Sequence, residues 1–142
     1  MQPGEKIMSI VQLIYGSRPF GFGEAEIGGI LGSARKNNER DGITGALVCR
    51  EDLYLQMLEG PRELVLAAYE RILRDDRHTD VVHLWTGAVQ ARMFPQWAMR
   101  HDPAQSWMWT PQQVADGYLK KVSFDELHGL FGRVAQQPPA QA

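Results

Sequence analysis

Cysteine is almost missing from this chain. Cys49 is the single one among 142 residues, which excludes an internal disulfide and suits a reducing cytoplasm. Long hydrophobic runs are missing too, so no segment is expected to span a bilayer. The opening MQPGEK has neither a basic region nor an apolar stretch behind it, and no signal peptide is expected. Neither sign of charge dominates: 15 Lys and Arg stand against 17 Asp and Glu, a net charge of −2. That balance offers no basic surface for nucleic acid or for anionic membranes. The histidines His78, His83, His101 and His128 are scattered without paired ligand spacing, which argues against a metal site. A nicotinamide-binding fingerprint, a nucleophile–base pair and a second substrate domain are all lacking, so no enzymatic activity is expected.

What remains is ordinary for a soluble domain, 44% apolar and 23% charged, with enough length for one core. Residues 8–15 (MSIVQLIY) are β-rich and run into Gly16-Ser17-Arg18-Pro19, a breaker cluster that predicts a loop. Residues 24–38 carry Ile27, Ile30, Leu31 and Ala34 at helical spacing. Two short strands follow, 43–50 and 53–58, joined as a hairpin by Glu51-Asp52. Gly60-Pro61 then starts a second helix with Val65, Ala68, Tyr69 and Ile72 on one stripe, closed by Arg77-His78. Residues 81–89 and about 93–99 predict two further strands. The order β-α-β-β-α-β-β predicts an α+β, ferredoxin-like sheet plus one strand, with both crossover helices on one face. Ser123 and Glu126 have capping-box spacing, and Phe124, Leu127, Phe131 and Val134 continue as a stripe. That C-terminal helix, with Trp107 and Trp109, is expected on the other face; a second subunit is the alternative cover.

Polar residues on core-facing positions carry the functional signal. Alternation puts Val11, Leu13 and Tyr15 on one face of the first strand, and Tyr54, Gln56 and Leu58 on one face of the third. A buried amide such as Gln56 needs partners or costs about 1–3 kcal/mol. With strands one and three read as the central, parallel pair, Tyr15 and Gln56 meet toward their carboxyl ends, where open sheets bind ligands. Asn38 continues the apolar stripe of the first helix toward the same space, and Arg71, Asp75 and His78 form a polar strip on the second. Each has a plain structural reading as well. Tyr15 suits a core tyrosine with its hydroxyl at the rim, and Asn38 suits a helix C-cap. Arg71 with Asp75 suits a surface ion pair, and His78 a cation at the helix end. Gln56 is the hardest to explain that way, and the functional case rests on its convergence with Tyr15 and Asn38.

Taken together, IYGS at 14–17, NNERDGITGAL at 37–47, LQMLEGP at 55–61, RDDRH at 74–78 and RMFPQWAM at 92–99 resemble the BLUF family of flavin photoreceptors. The resemblance runs from about residue 8 to 100, and its specificity lies in the combination of ITG, LQxLEG and DxRH. It implies FAD, or alternatively FMN, held between the two helices. It implies that Tyr15 is the photochemical electron donor and that Gln56 links that phenol to the flavin. Asn38 and Asn37 would hold the polar edge of the ring, while Arg71, Asp75, Arg77 and His78 lie near the ring or its side chain. Trp97 and Met99 correspond to the family's switching segment on the fifth strand. With that stretch as a flavin-binding domain over 8–100, the chain is expected to divide further into an extension over 1–7, a helical extension over 101–136 and a disordered tail over 137–142. The function so implied is blue-light sensing without catalysis, passed to a separate partner protein, in a cytoplasmic homo-oligomer. A ligand-sensing or interaction module of the same fold, without photochemistry, is the alternative. Gly16 departs from the family, which often has a larger residue there. Gly28, Gly29 and Gly32 are unusual inside a helix and each costs up to about 1 kcal/mol against alanine. Cys49 sits in a strand without the flanking motif of adduct-forming flavin sensors and reads as a small core hydrophobe.

Overall fold

A computed structural model describes residues 10–20 and 23–138. The expected N-terminal extension, Met8 and Ser9 of the expected first strand, and residues 139–142 of the expected tail lie outside the described residues. The elements are β1 (Ile10–Pro19), α1 (Glu24–Asp41), β2 (Thr44–Arg50), β3 (Leu53–Pro61), α2 (Arg62–Leu73), β4 (His78–Val89), β5 (Arg100–Pro103), α3 (Pro111–Ala115), a 3₁₀ turn at Tyr118–Lys120, and α4 (Phe124–Gln136). One five-stranded sheet has the order β4-β1-β3-β2-β5, a ferredoxin-like α+β arrangement with an added edge strand.

The central pair corrects one expectation. β1 and β3 run antiparallel, with Tyr15 opposite Gln56 as register partners. Each crossover returns parallel to its starting strand with one strand inserted between, and the β2–β3 hairpin reverses direction, so neighbours β1 and β3 must oppose. Tyr15 and Gln56 therefore meet across a rung of the ladder, not at a shared carboxyl end.

Several boundaries also move. The Gly16–Pro19 cluster belongs to β1, because β4 pairs with it through Arg18↔Thr79 and Pro19↔His78 after a register shift; Pro19, at the strand end, gives up no interior ladder bond. The second helix stops at Leu73, not at His78. The N–H groups of Arg74 and Asp75 turn back to the carbonyls of Arg71 and Ile72, and His78 opens β4. Residues 93–99 are not a strand. Phe94-Pro95 begins a turn closed by Trp97 N–H on the Phe94 carbonyl at 3.2 Å, and the fifth strand starts at Arg100, parallel to β2.

The sheet separates two cores. On one face Val11, Leu13, Leu47 and Leu58 meet Leu31 of α1 and Val65 and Ala68 of α2, with the predicted stripe residues Ile27, Ile30, Ala34, Tyr69 and Ile72 around them. On the other, Ile14, Val48, Leu55, Met57 and Phe94 pack under Leu127, Leu130, Phe131 and Val134 of α4. The chain's own helix thus covers the second face. Phe124 stays 42% exposed but packs on Trp85, with ring centroids 4.7 Å apart. Only half of the predicted capping box forms: Ser123 Oγ accepts from Glu126 N–H at 3.1 Å, while the Glu126 carboxylate accepts from the Tyr118 hydroxyl. Gly45 marks the closest backbone approach, since a Cβ there would lie 1.9 Å from the Met57 carbonyl oxygen.

Candidate functional site

A cavity of about 300 Å³ opens between the sheet, α1 and α2. Tyr15, Gln56, Asn37, Asn38, Arg71, Asp75, Arg77 and His78 all line it, so eight of the sequence-predicted residues converge there. Ile30, Ala34, Leu47, Leu58, Ala68 and Ile72 supply apolar walls.

At the base, the Tyr15 hydroxyl donates to Gln56 Oε1, and Gln56 Nε2 donates to Met99 Sδ at 3.2 Å. All three residues are buried. Burial pushes the Tyr15 phenol far above its ordinary range, and the neighbouring Tyr69 and Asp75 add to the rise. The phenol therefore stays protonated, a hydrogen-bond donor to the Gln56 oxygen. Gln56 faces it with its oxygen, because Met99 has no proton to give and can only accept.

Asn38 is not a side-chain cap. Its backbone carbonyl accepts from the Gly42 N–H, and Gly42 supplies the left-handed cap at φ 69°. The Asn38 side chain instead donates to the Ala98 carbonyl at 2.7 Å, and Arg35 donates to the Met99 carbonyl at 3.0 Å. Residues 93–99 thus form a strap lying along the sheet edge, held from the cavity side by Arg35, Asn38 and Gln56. Met99 turns inward to Gln56. Trp97 does not line the cavity; it packs half-buried against the opposite core, with its carbonyl accepting from Gly45 N–H at 3.1 Å.

Polar groups at the mouth are largely paired with one another. The expected Arg71–Asp75 pair does not form, since Asp75 lies beyond the helix end. Arg71 reaches Asp41 at 3.4 Å, and Arg77 clasps Asp75 at 2.6 Å. Hydrogen bonds from Arg77 hold the Asp75 carboxyl below its usual range. His78 bridges Ser17 Oγ at 2.6 Å and the Ile72 carbonyl at 2.8 Å, so it does meet the end of α2, though from β4. Gly28, Gly29 and Gly32 are exposed on α1 and line no part of the cavity. At Gly16 a Cβ would come 2.9 Å from Leu119 Cδ1 of the 3₁₀ turn, so a larger residue would press on the covered face, not on the cavity.

Tyr54 was missed as a cavity residue. It is buried, lines the cavity, and its phenol is pushed up to about 12 by burial. The signal was available: it shares the face of Gln56 two residues earlier on β3. Cys49 behaves as the core hydrophobe expected, its thiol pushed up to about 12 by burial.

The fold and this cavity define a ferredoxin-like ligand-binding domain whose buried base is a phenol–amide pair. The family described as "BLUF: Sensors of blue-light using FAD" matches residues 10–100, and the chain belongs to that family of flavin-binding light sensors. It is 36% identical over 75 residues to the photoactivated adenylate cyclase subunit beta of Euglena gracilis, a stretch that is 52% of this chain and 9% of that protein. The chain therefore spans only a small fraction of the curated relatives it matches first. Among solved structures, BlrB in its dark state superposes with a TM-score of 0.73 at 27% identity, over 89% of this chain and 96% of that one. BlsA in its photo-activated state gives a TM-score of 0.80 over 94% and 99% of the two chains, a likeness of fold at 23% identity. No helix among the described residues is long and apolar enough to cross a membrane.

Proposed function

We propose that this domain is a blue-light photoreceptor that signals by rearranging the hydrogen bonds of Tyr15 and Gln56, without catalysis of its own. The observation that carries the reading is the buried chain from the Tyr15 hydroxyl through the Gln56 amide to Met99.

The residues around the cavity fit a flavin. Apolar walls suit a flat ring, carboxamides at Asn37 and Asn38 offer both donor and acceptor to an imide edge, and the guanidinium groups of Arg71 and Arg77 suit a phosphate that takes the place of their carboxylate partners. The cavity's size falls at the small end of ligand pockets, roughly 300–1,000 Å³, enough to take the ring while the rest of the cofactor leaves through the mouth. FAD is the cofactor we assign, following the family description; FMN is the alternative, and chromatography of the released cofactor distinguishes them. When bound, the flavin supplies absorption of blue light and a one-electron oxidant.

The chain's own residues do the rest. Tyr15 would give an electron to the bound flavin and pass its proton through Gln56 Oε1 to the same acceptor, and the return of both restores the neutral phenol. Gln56 is held on its other side only by a thioether, a weak acceptor, so turning the amide costs little there. Once turned, Nε2 faces the phenol oxygen as donor, and Oε1 faces a sulfur with no proton to offer. The hold on Met99 is lost, and the strap's population shifts. Residues 8–100 would be the sensing unit and 101–136 the helical extension that carries the output to a separate protein. A homo-oligomer would have to use surfaces such as exposed Leu64, Leu66 and Leu73 of α2, because α4 covers the sheet; light scattering after size exclusion checks this. We place the protein in the cytoplasm, in keeping with its single reduced cysteine.

The test is an absorption spectrum before and after blue light. The wild type should show a flavin band that shifts slightly red and recovers in the dark. Gln56→Leu should keep the flavin and lose the shift; an intact shift would refute the role of Gln56. A colourless protein that takes up no flavin would favour a ligand-sensing or interaction module instead.

A further inference from the structure

The β1–β3 pair carries a second polar rung, on the face away from the cavity. Gln12 and Glu59 are register partners just as Tyr15 and Gln56 are, and both are buried. The Glu59 carboxylate accepts from Gln12 Nε2 at 3.0 Å, from Thr44 Oγ1 at 3.1 Å, and from the backbone N–H groups of Met93 at 2.8 Å and Phe94 at 2.6 Å. Those last two are the first residues of the strap whose far end holds Met99. Gln12 in turn meets His128 of α4 through its other amide atom, Oε1 to Nε2, at 2.8 Å. His128 is wedged between Trp85 and Phe124, with ring centroids 5.5 and 4.4 Å away.

We propose that Glu59 is a positioning residue that couples the strap to α4, through the line Phe94–Glu59–Gln12–His128. This rests on the photoreceptor reading above and names the route by which its signal leaves the cavity. The geometry gives each member one job. Glu59 fixes the strap's entry, and no proton donor among its partners can be withdrawn without leaving a buried carboxylate oxygen short. Gln12 carries a donor on one amide atom and an acceptor on the other, so it joins an acceptor on β3 to a donor on α4. Movement of the strap after Gln56 releases Met99 therefore reaches the Gln12 amide, and through it the helix that covers the sheet. The strap's other end has a matching tie: Arg100, paired with Asp102 at 2.7 Å, donates to the Gln137 carbonyl just past α4 at 2.8 Å.

Hydrogen exchange on the full flavin-loaded chain tests the route, using His128→Phe, which keeps an aromatic ring, and Gln12→Leu. In the dark, His128→Phe should speed exchange of the Met93 and Phe94 amides by about fivefold, the worth of one neutral hydrogen bond; a ring that merely packs would leave those distant amides unmoved. Both variants should keep the red shift, because neither residue lines the cavity. Illumination should speed exchange across α4 in the wild type and not in the variants. Unchanged Met93 and Phe94 exchange in His128→Phe, or a wild-type light response of α4 that survives in both variants, would overturn the coupling. Should the wild type show no red shift at all, the photoreceptor reading falls, and the dark exchange of Met93 and Phe94 still decides the linkage by itself.

Discussion

The two faces of this sheet are made by the same strands and do opposite things. On the α4 side, Ile14, Leu55, Met57 and Phe131 are essentially inaccessible and fill the space. On the α1–α2 side, a cavity is left open and polar groups reach into it from both helices and the sheet. Alternation along β1 and β3 sends one set of residues each way, so a single pair of strands builds both a packed core and a binding site. Core packing and cavity lining are thus separated by side-chain parity, not by domain.

That separation can be broken or sharpened by measurement. The largest effect belongs to the packed face. Phe131→Ala should cost about 3–5 kcal/mol in urea unfolding, with flavin affinity little changed; a loss under 1 kcal/mol would mean that α4 is not part of the core. The open face should gain its missing contacts from the ligand. Flavin at a hundredfold excess over its Kd should raise stability by about 2.7 kcal/mol, and a flavin-independent melting temperature would place binding elsewhere. Gly45→Ala, with its Cβ against the Met57 carbonyl, should cost about 1–3 kcal/mol in both states, because it strains the sheet that the two faces share. The smallest effect lies at the cavity mouth. Arg77 lowers the Asp75 carboxyl, so the pair stabilises above the ordinary carboxylate range, near pH 4, and that contribution is lost as pH falls through the depressed value. Arg77→Met should therefore cost under about 1 kcal/mol at pH 7, the pair being partly exposed, and the gap to wild type should close in strong acid. A gap that widened on acidification would show that Asp75 is held by something else.

Most of this architecture was legible from pattern. The helical stripes of α1, α2 and α4 and the hairpin came through because burial enforces period. What failed were the places where one group overrides periodicity. MFPQWAM alternates like a strand, yet Pro95 and the capture of the Met93 and Phe94 amides by Glu59 make it a strap. The Gly16–Pro19 cluster looks like a loop in isolation and becomes strand because β4 pairs with it. Asp75 and His78 keep helical spacing from Arg71 on paper, but the chain turns at Arg74 and puts them on a turn and a strand, still around the same cavity. Parallel pairing of β1 and β3 was a topological misreading: the expected element order, with its crossovers and its β2–β3 hairpin, already requires the two strands to oppose, although Tyr15 and Gln56 face each other either way. Glu59 was hidden within a motif that drew attention to Gln56 alone, and parity would have sent it to the opposite face.

The two polar rungs have a mechanical consequence. Tyr15 with Gln56 and Gln12 with Glu59 are spaced along one antiparallel ladder, so their alignments are not independent quantities. Any slide of β1 along β3 offsets both pairs by the same amount and in the same sense, and a slip of one whole residue would turn the phenol out of the cavity as it turned Gln12 into it. The ladder acts as a common ruler for light reception on one side and helix docking on the other. Side chains on either face can be exchanged one at a time, but the ruler itself can only be changed for both at once.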